Sequence, residues 1–156
     1  MRTIIALGSN LGDRAANLEA GMRALAALGE VIASPLTLEG ADESGLGPDY
    51  LNTVACLDSA ITEPMTLLEE LLRIELRLGR DRSAGRNAPR TLDLDLIAME
   101  GHRGSWRWPT PPDLRALGPE LELRLPHPRA SRRPFVLDPL QALEPWTEKS
   151  ALDWLR

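Results

Sequence analysis

The apolar positions of this chain change their period several times before residue 97, and each change marks a predicted element. Residues 3–7 form a short apolar run ending at Gly8-Ser9-Asn10-Leu11-Gly12, the pattern of a strand, a tight loop and then a helix. The helix is expected over residues 13–28, where Leu18, Met22, Leu25 and Leu28 recur at three- and four-residue spacing and Gly29 supplies a stop. A second strand falls within residues 30–38, with Pro35 marking an edge or a bulge, and the glycines and acidic residues of 39–49 predict a loop. Residues 53–60 alternate as a strand does. Thr62 then caps a helix with Pro64 in its first turn, running to about Leu78. Met65, Leu68, Leu72 and Leu76, flanked by Leu71, Ile74 and Leu78, give that helix a broad apolar stripe, and Gly79 ends it.

Residues 92–96 read Leu, Asp, Leu, Asp, Leu, the period of two of a half-buried strand whose leucines face the core. Residues 100–117, with three prolines and two glycines around Trp106 and Trp108, are expected to form a long connection. The two tryptophans there serve as a hydrophobic plug or as a ligand wall. Residues 120–125 alternate charge and leucine and predict another strand. Asp138 and Pro139 suit the cap and first position of a short helix, and residues 150–156 a last turn or two. Up to residue 97 the order is strand, helix, strand, strand, helix, strand, which fits an α+β ferredoxin-like sandwich, mainly antiparallel, with its helices packed against the sheet. With no repeat, low-complexity tract or interior linker, residues 1–156 are expected to form a single domain.

Composition narrows the chemistry. A net charge of −5 argues against a general nucleic-acid or anionic-membrane surface, while the arginines are clustered as a local phosphate site requires. Cys56 is the only cysteine, which leaves no internal disulfide and no multi-cysteine metal site. The start of the chain lacks a basic region followed by an apolar run, and no stretch approaches about 18 apolar residues, so a soluble cytoplasmic protein is expected.

The chemistry-bearing stretch is residues 79–99. Asp93 and Asp95 share one strand face, with Cα atoms roughly 6.6 Å apart at the rise of an extended chain, within reach of the same hard cations. Arg80, Arg82, Arg86 and Arg90 precede them in a run punctuated by Gly79, Gly85 and Pro89, and so expected to be loop. Four arginines beside two carboxylates exceed what ion pairing needs and suit a polyanion such as a nucleotide polyphosphate.

The run Pro89-Arg90-Thr91-Leu92-Asp93-Leu94-Asp95-Leu96 resembles the signature of the 6-hydroxymethyl-7,8-dihydropterin pyrophosphokinases, enzymes of folate synthesis, and Arg73-Ile74-Glu75-Leu76 with Gly79-Arg80 keeps the family's spacing. The resemblance extends over nearly the whole chain, including the GSNLG opening and Pro48-Asp49-Tyr50-Leu51-Asn52. It implies the ferredoxin-like fold and pyrophosphoryl transfer from ATP to 6-hydroxymethyl-7,8-dihydropterin, with two Mg²⁺ ions held by Asp93 and Asp95. It implies that Arg80 and Arg90 stabilise the transferring group and that Glu75, Arg82, His127 and Arg133 lie with the nucleotide. Tyr50, Asn52 and Phe135 would meet the pterin, and the 79–90 loop would close over the site.

The chain departs from its relatives in three places. It has Thr37-Leu38-Glu39-Gly40 where a Thr-Glu-Pro or Thr-Pro-Pro is usual, Asn87 where an aromatic residue is common, and a longer 100–117 connection. Trp106 or Trp108 is a candidate for the missing aromatic wall. A ferredoxin-like small-molecule-binding module, and a metal-dependent phosphohydrolase or nucleotidyltransferase, remain the alternatives that paired aspartates and fold alone leave open.

Overall fold

A computed structural model describes residues 1–79, 90–143 and 151–156 of the chain. Strand β1 (Arg2–Ser9) leads into helix α1 (Arg14–Ala26), then β2 (Gly29–Ala33), β3 (Leu38–Gly40), β4 (Tyr50–Ser59) and helix α2 (Pro64–Arg77). Beyond it come β5 (Asp93–Met99), β6 (Gly104–Pro109), β7 (Glu120–Leu125) and helix α3 (Pro134–Ala142), with short 3₁₀ turns at Pro112–Leu117, Ala130–Arg132 and Ala151–Leu155.

The main sheet runs β2-β4-β1-β5, every pairing antiparallel, and β3 pairs with β4 beyond β2. Together with α1 and α2 as the two crossovers, this is the ferredoxin-like arrangement expected from the element order. The register explains how one sheet serves two layers. In β1 and β4, Ile5, Leu7, Ala55 and Leu57 project toward α1 and α2, where Leu18, Leu25, Leu67, Leu71 and Ile74 cover them. Their neighbours Ile4, Val54 and Cys56 project to the other face, joined by Ile97 and covered by Val136, Leu140 and Leu143. Central strands buried on both faces must be apolar at nearly every position, which is why residues 54–57 read Val-Ala-Cys-Leu without alternation. Leu92, Leu94 and Leu96 are all buried in the helix-side core, as their spacing predicts.

Local chemistry sets the helix ends. The Asp13 side chain caps α1 by accepting the Ala16 N–H at 3.1 Å. Gly21 lets α1 approach the sheet, because a Cβ there would lie 3.1 Å from the methyls of Leu7 and Leu92. For α2 the cap is Glu63 rather than Thr62, with no side-chain hydrogen bond, and Pro64 at the first position needs no partner for an N–H it lacks.

Other boundaries also differ from the sequence expectation, residues 39–40 among them, which belong to β3 and not to the loop. Residues 104–109 are not connection but strand β6, paired with β7 so that Trp106 faces Leu123 and Trp108 faces Leu121. The alternation Trp106-Arg107-Trp108 is a genuine strand signal, masked by the glycines and prolines around it. Helix α3 starts at Pro134, and Pro139 lies inside it, so Asp138 is not its cap. Strand β4 starts at Tyr50, which places both Tyr50 and Asn52 on the sheet rather than in the preceding loop. No helix among the described residues is long and apolar enough to cross a membrane.

Candidate active site

The face of the sheet under α3 is covered over only part of its length. Where Ile4, Val54, Cys56 and Ile97 project, α3 packs on them; nearer the opposite ends of the strands the same face turns polar. The β1 register lines up Asn52, Gly8 and Asp93 in one row across β4, β1 and β5, and Val54, Ala6 and Asp95 in the next. Small residues on the middle strand leave room above it. A Cβ on Gly8 would sit 3.1 Å from both Asn52 Oδ1 and a Tyr50 ring carbon. The result is a cavity of about 560 Å³ whose wall includes Gly8, Tyr50, Asn52, Arg90, Asp93, Asp95, His127, Arg129, Arg133 and Phe135.

Arg90 and the two aspartates form one electrostatic unit. The Arg90 guanidinium donates to Asp93 Oδ1 at 2.9 Å. Asp95 lies 3.7 Å from an Arg133 nitrogen. Burial, and then the neighbouring charge of Asp93, push the Asp95 carboxyl up to about 7, with Arg133 pulling the other way. Among the described residues no three His, Cys, Asp or Glu side chains gather to hold a metal by themselves. Two hard carboxylates on one strand face therefore suit a cation that fills its shell with phosphate oxygens and water, as Mg²⁺ does.

His127 and Arg133 arrive from the turn after β7 and from the start of α3. The His127 backbone N–H donates to Ile97 O at 2.7 Å, which ties this turn to the sheet. Its ring Nδ1 accepts the Arg129 N–H at 3.2 Å, so the neutral tautomer keeps its proton on Nε2 and can donate it. Burial, then the charges of Arg133 and Arg129, lower the His127 pKa to about 4 and keep the ring neutral. Arg133 stacks over Phe135, its guanidinium carbon 5.6 Å from the ring centroid, and its buried Nε has no hydrogen-bond partner among the described residues.

The residues expected from sequence are thus distributed unevenly. Tyr50, Asn52, Arg90, Asp93, Asp95, His127, Arg133 and Phe135 share the cavity wall. Glu75 does not line it: the carboxylate is 1 % exposed beneath the sheet, where it accepts the Leu94 N–H at 2.7 Å and anchors the start of β5. Arg73, two residues earlier in the chain, turns to Asp113 and Glu70. Arg80, Arg82 and the rest of residues 80–89, Asn87 included, lie outside the described residues. Trp106 and Trp108 stand away from the cavity and pack with Met65, Leu68 and Leu72 of α2, so they form the plug and not the wall.

Sequence reasoning missed two contributors. Asn10, 2 % exposed, accepts the Arg90 N–H at 2.7 Å on its side chain, while its own N–H donates to Arg90 O at 3.1 Å and its amide donates to Pro48 O at 3.1 Å. It therefore holds the entry to β5 and the end of the 41–49 loop together. That loop supplies the second, Glu43, whose carboxylate reaches Arg133 at 2.9 Å and Arg129 at 3.6 Å. The Asp-Glu-Ser-Gly run that shapes the loop was visible as turn chemistry, but its approach to arginines about ninety residues away was not.

Fold and cavity by themselves define a ferredoxin-like domain that gathers paired carboxylates and arginines at one end of its sheet. The chain belongs to the 7,8-dihydro-6-hydroxymethylpterin-pyrophosphokinase family, whose sequence model matches residues 4–145. It is 35% identical over 147 residues to the 2-amino-4-hydroxy-6-hydroxymethyldihydropteridine pyrophosphokinase of Pseudomonas aeruginosa, covering 92% of this chain and 81% of that one. The enzyme of the same name from Methylorubrum extorquens is also 35% identical, over 92% of this chain and 83% of its own. That of Mycobacterium bovis is 36% identical over 148 residues, 92% of this chain and 73% of its own.

Proposed function

We infer that the chain transfers the pyrophosphoryl group of ATP to the hydroxymethyl group of 6-hydroxymethyl-7,8-dihydropterin, giving the pterin diphosphate and AMP in folate synthesis. The observation that carries the reading is the convergence of Asp93, Asp95, Arg90, Arg133 and His127 with Asn52 and Phe135 in one cavity of a chain belonging to this family. The carboxylates and arginines suit a triphosphate; the amide and the ring suit a flat heterocycle that needs both hydrogen bonds and stacking.

In this reading the heterocycle lies beside Phe135, with the Asn52 amide meeting its polar edge, in the space that Gly8 leaves open. The hydroxymethyl oxygen then bonds to the β-phosphorus, the bond from that phosphorus to the α,β-bridging oxygen breaks, and AMP leaves with that oxygen. Asp93 and Asp95 would hold Mg²⁺, two ions by family resemblance, which when bound offsets the triphosphate charge and acidifies the attacking hydroxyl. Arg90 and Arg133 orient the phosphates and stabilise the charge that develops as the group transfers. Neutral His127 donates a hydrogen bond from Nε2 without adding charge. Arg80 and Arg82 would join the nucleotide side by family resemblance. ATP as the donor implies a cytoplasmic location.

Nucleotide product analysis with ATP and Mg²⁺, with and without the pterin, tests this. The expected result is AMP only when the pterin is present, in step with pterin diphosphate. Release of ADP or phosphate independent of the pterin would overturn the reading in favour of a phosphohydrolase.

A further inference from the structure

We propose that Glu43 is a built-in competitor for the nucleotide phosphates: its carboxylate holds Arg133 and Arg129 when the cavity is empty and must be displaced before a polyphosphate binds. This rests on the placing of the triphosphate against Arg133 proposed above.

The loop that carries Glu43 is fixed at its base and shaped by its own side chains. Asp42 accepts from the Ser44 N–H at 3.1 Å, the Ser44 hydroxyl at 2.7 Å and the Gly47 N–H at 3.0 Å. Gly47 lets the loop close tightly on that carboxylate, since a Cβ there would lie 2.8 Å from Asp42 Oδ2 and would push the side chain aside. Asn10 and Arg14 grip the far end through Pro48 O and Asp49 O. A loop held this way presents Glu43 at the cavity rim at no further cost in chain entropy.

What Glu43 reaches identifies its role. One oxygen serves both arginines, at 2.9 Å and 3.6 Å. Arg133 is the more sheltered partner, its side chain 12 % exposed, and its Nε is a buried donor without an acceptor among the described residues. A carboxylate leaves that donor over; a phosphate chain, with more acceptor oxygens, could satisfy it. The Glu43 pairing is therefore complete enough to hold the arginines and incomplete enough to yield. A binding-competent state populated only when Glu43 lets go weakens apparent affinity by the same fraction.

The test is calorimetric titration of the full chain with Mg²⁺ and α,β-methylene ATP, which cannot pass on its pyrophosphoryl group, and separately with Mg²⁺ and inorganic tripolyphosphate. Glu43→Gln should bind both probes about three- to tenfold more tightly than the unaltered chain, the factor two partly exposed ion pairs confer. Glu39→Gln, which loses the Arg14 pair outside the cavity, should leave both affinities unchanged. Unchanged or weaker binding by Glu43→Gln overturns the proposal. If the unaltered chain makes AMP with the pterin while Glu43→Gln gains nothing, the competitor falls and the pyrophosphokinase reading stands. If neither protein binds either probe, both fall.

Discussion

Replacing Asn10 by alanine should damage stability and nucleotide handling together, because one amide bridges two segments of the site wall. Its side chain makes two hydrogen bonds to backbone groups, accepting the Arg90 N–H and donating to Pro48 O. Asn10→Ala leaves both groups without their partner in a sheltered setting, each worth about 1–3 kcal/mol, so the loss of folding stability should come to about 2–4 kcal/mol. The Arg90 backbone keeps its carbonyl bond to the residue-10 N–H but loses the one its own N–H makes to the Asn10 side chain, so the guanidinium that pairs with Asp93 is held less firmly. Denaturant unfolding of the ligand-free chain gives the first quantity. The second comes from kcat/KM for ATP in a cycle of Asn10→Ala, Arg90→Ala and the double variant. If Asn10 acts through Arg90, the two losses overlap, and the double variant is impaired by at least about 1 kcal/mol less than their sum. A stability loss below about 0.5 kcal/mol, or strictly additive kinetic losses, would refute the bridging role.

Three further outcomes follow from the geometry. Asp95→Asn should abolish Mg²⁺-dependent nucleotide binding, seen by calorimetry, and yet raise the Tm of the metal-free chain, since it removes one of two neighbouring carboxylates; a lower Tm would contradict that. His127 has a folded-state pKa lowered from 6.5 to about 4, so the folded chain resists a proton that the unfolded chain accepts. Its stabilising contribution is complete above about pH 6.5 and declines as the pH falls toward 4, by about 1–2 kcal/mol after allowing for its partial exposure. Unfolding curves between pH 4.5 and 7.5 should therefore be flatter for His127→Gln, and parallel curves would rule this out. Trp106→Ala should cost about 2–3 kcal/mol of stability and leave affinity for α,β-methylene ATP unchanged, because the ring packs between α2 and the β6–β7 hairpin; weakened nucleotide binding would restore it as a ligand wall.

The parts of this molecule that were legible in the sequence are those in which the local pattern and the tertiary role agree. Leu92, Leu94 and Leu96 alternate with Asp93 and Asp95 because β5 has one apolar side and one side open to the cavity, so a period of two carries both core and site. The element order up to Ile97 carries the topology, since two helices, each joining a pair of parallel strands that an antiparallel strand separates, leave few arrangements. Trp106 and Trp108 were misplaced because the same prolines and glycines that end a strand also mark an irregular connection. Glu75 was misplaced for a different reason. Arginines lie two residues to either side of it in sequence, but its carboxylate accepts the Leu94 N–H of another element, and local charge pattern says nothing about a carboxylate turned inward.

The same distinction explains why the cavity's two least expected members are Asn10 and Glu43. Neither belongs to a patterned element, and each acts on residues from 38 to 90 positions away in the chain. Asn10 keeps the Arg90 backbone where Arg90 can face Asp93, and Glu43 draws Arg133 and Arg129 toward the loop. One positions a cation for use and the other occupies two cations until something better arrives. The arginines in this site are therefore not waiting in solvent for a phosphate. Among the described residues, Arg90 faces Asp93, Arg129 faces Glu43, and Arg133 faces both Glu43 and Asp95. Binding a polyanion with its cation is then an exchange of partners rather than a simple addition. In the proposed complex phosphate would replace carboxylate on the arginines and a bound metal would replace arginine on the aspartates, so that the net affinity would be set by the difference between the two sets of pairs.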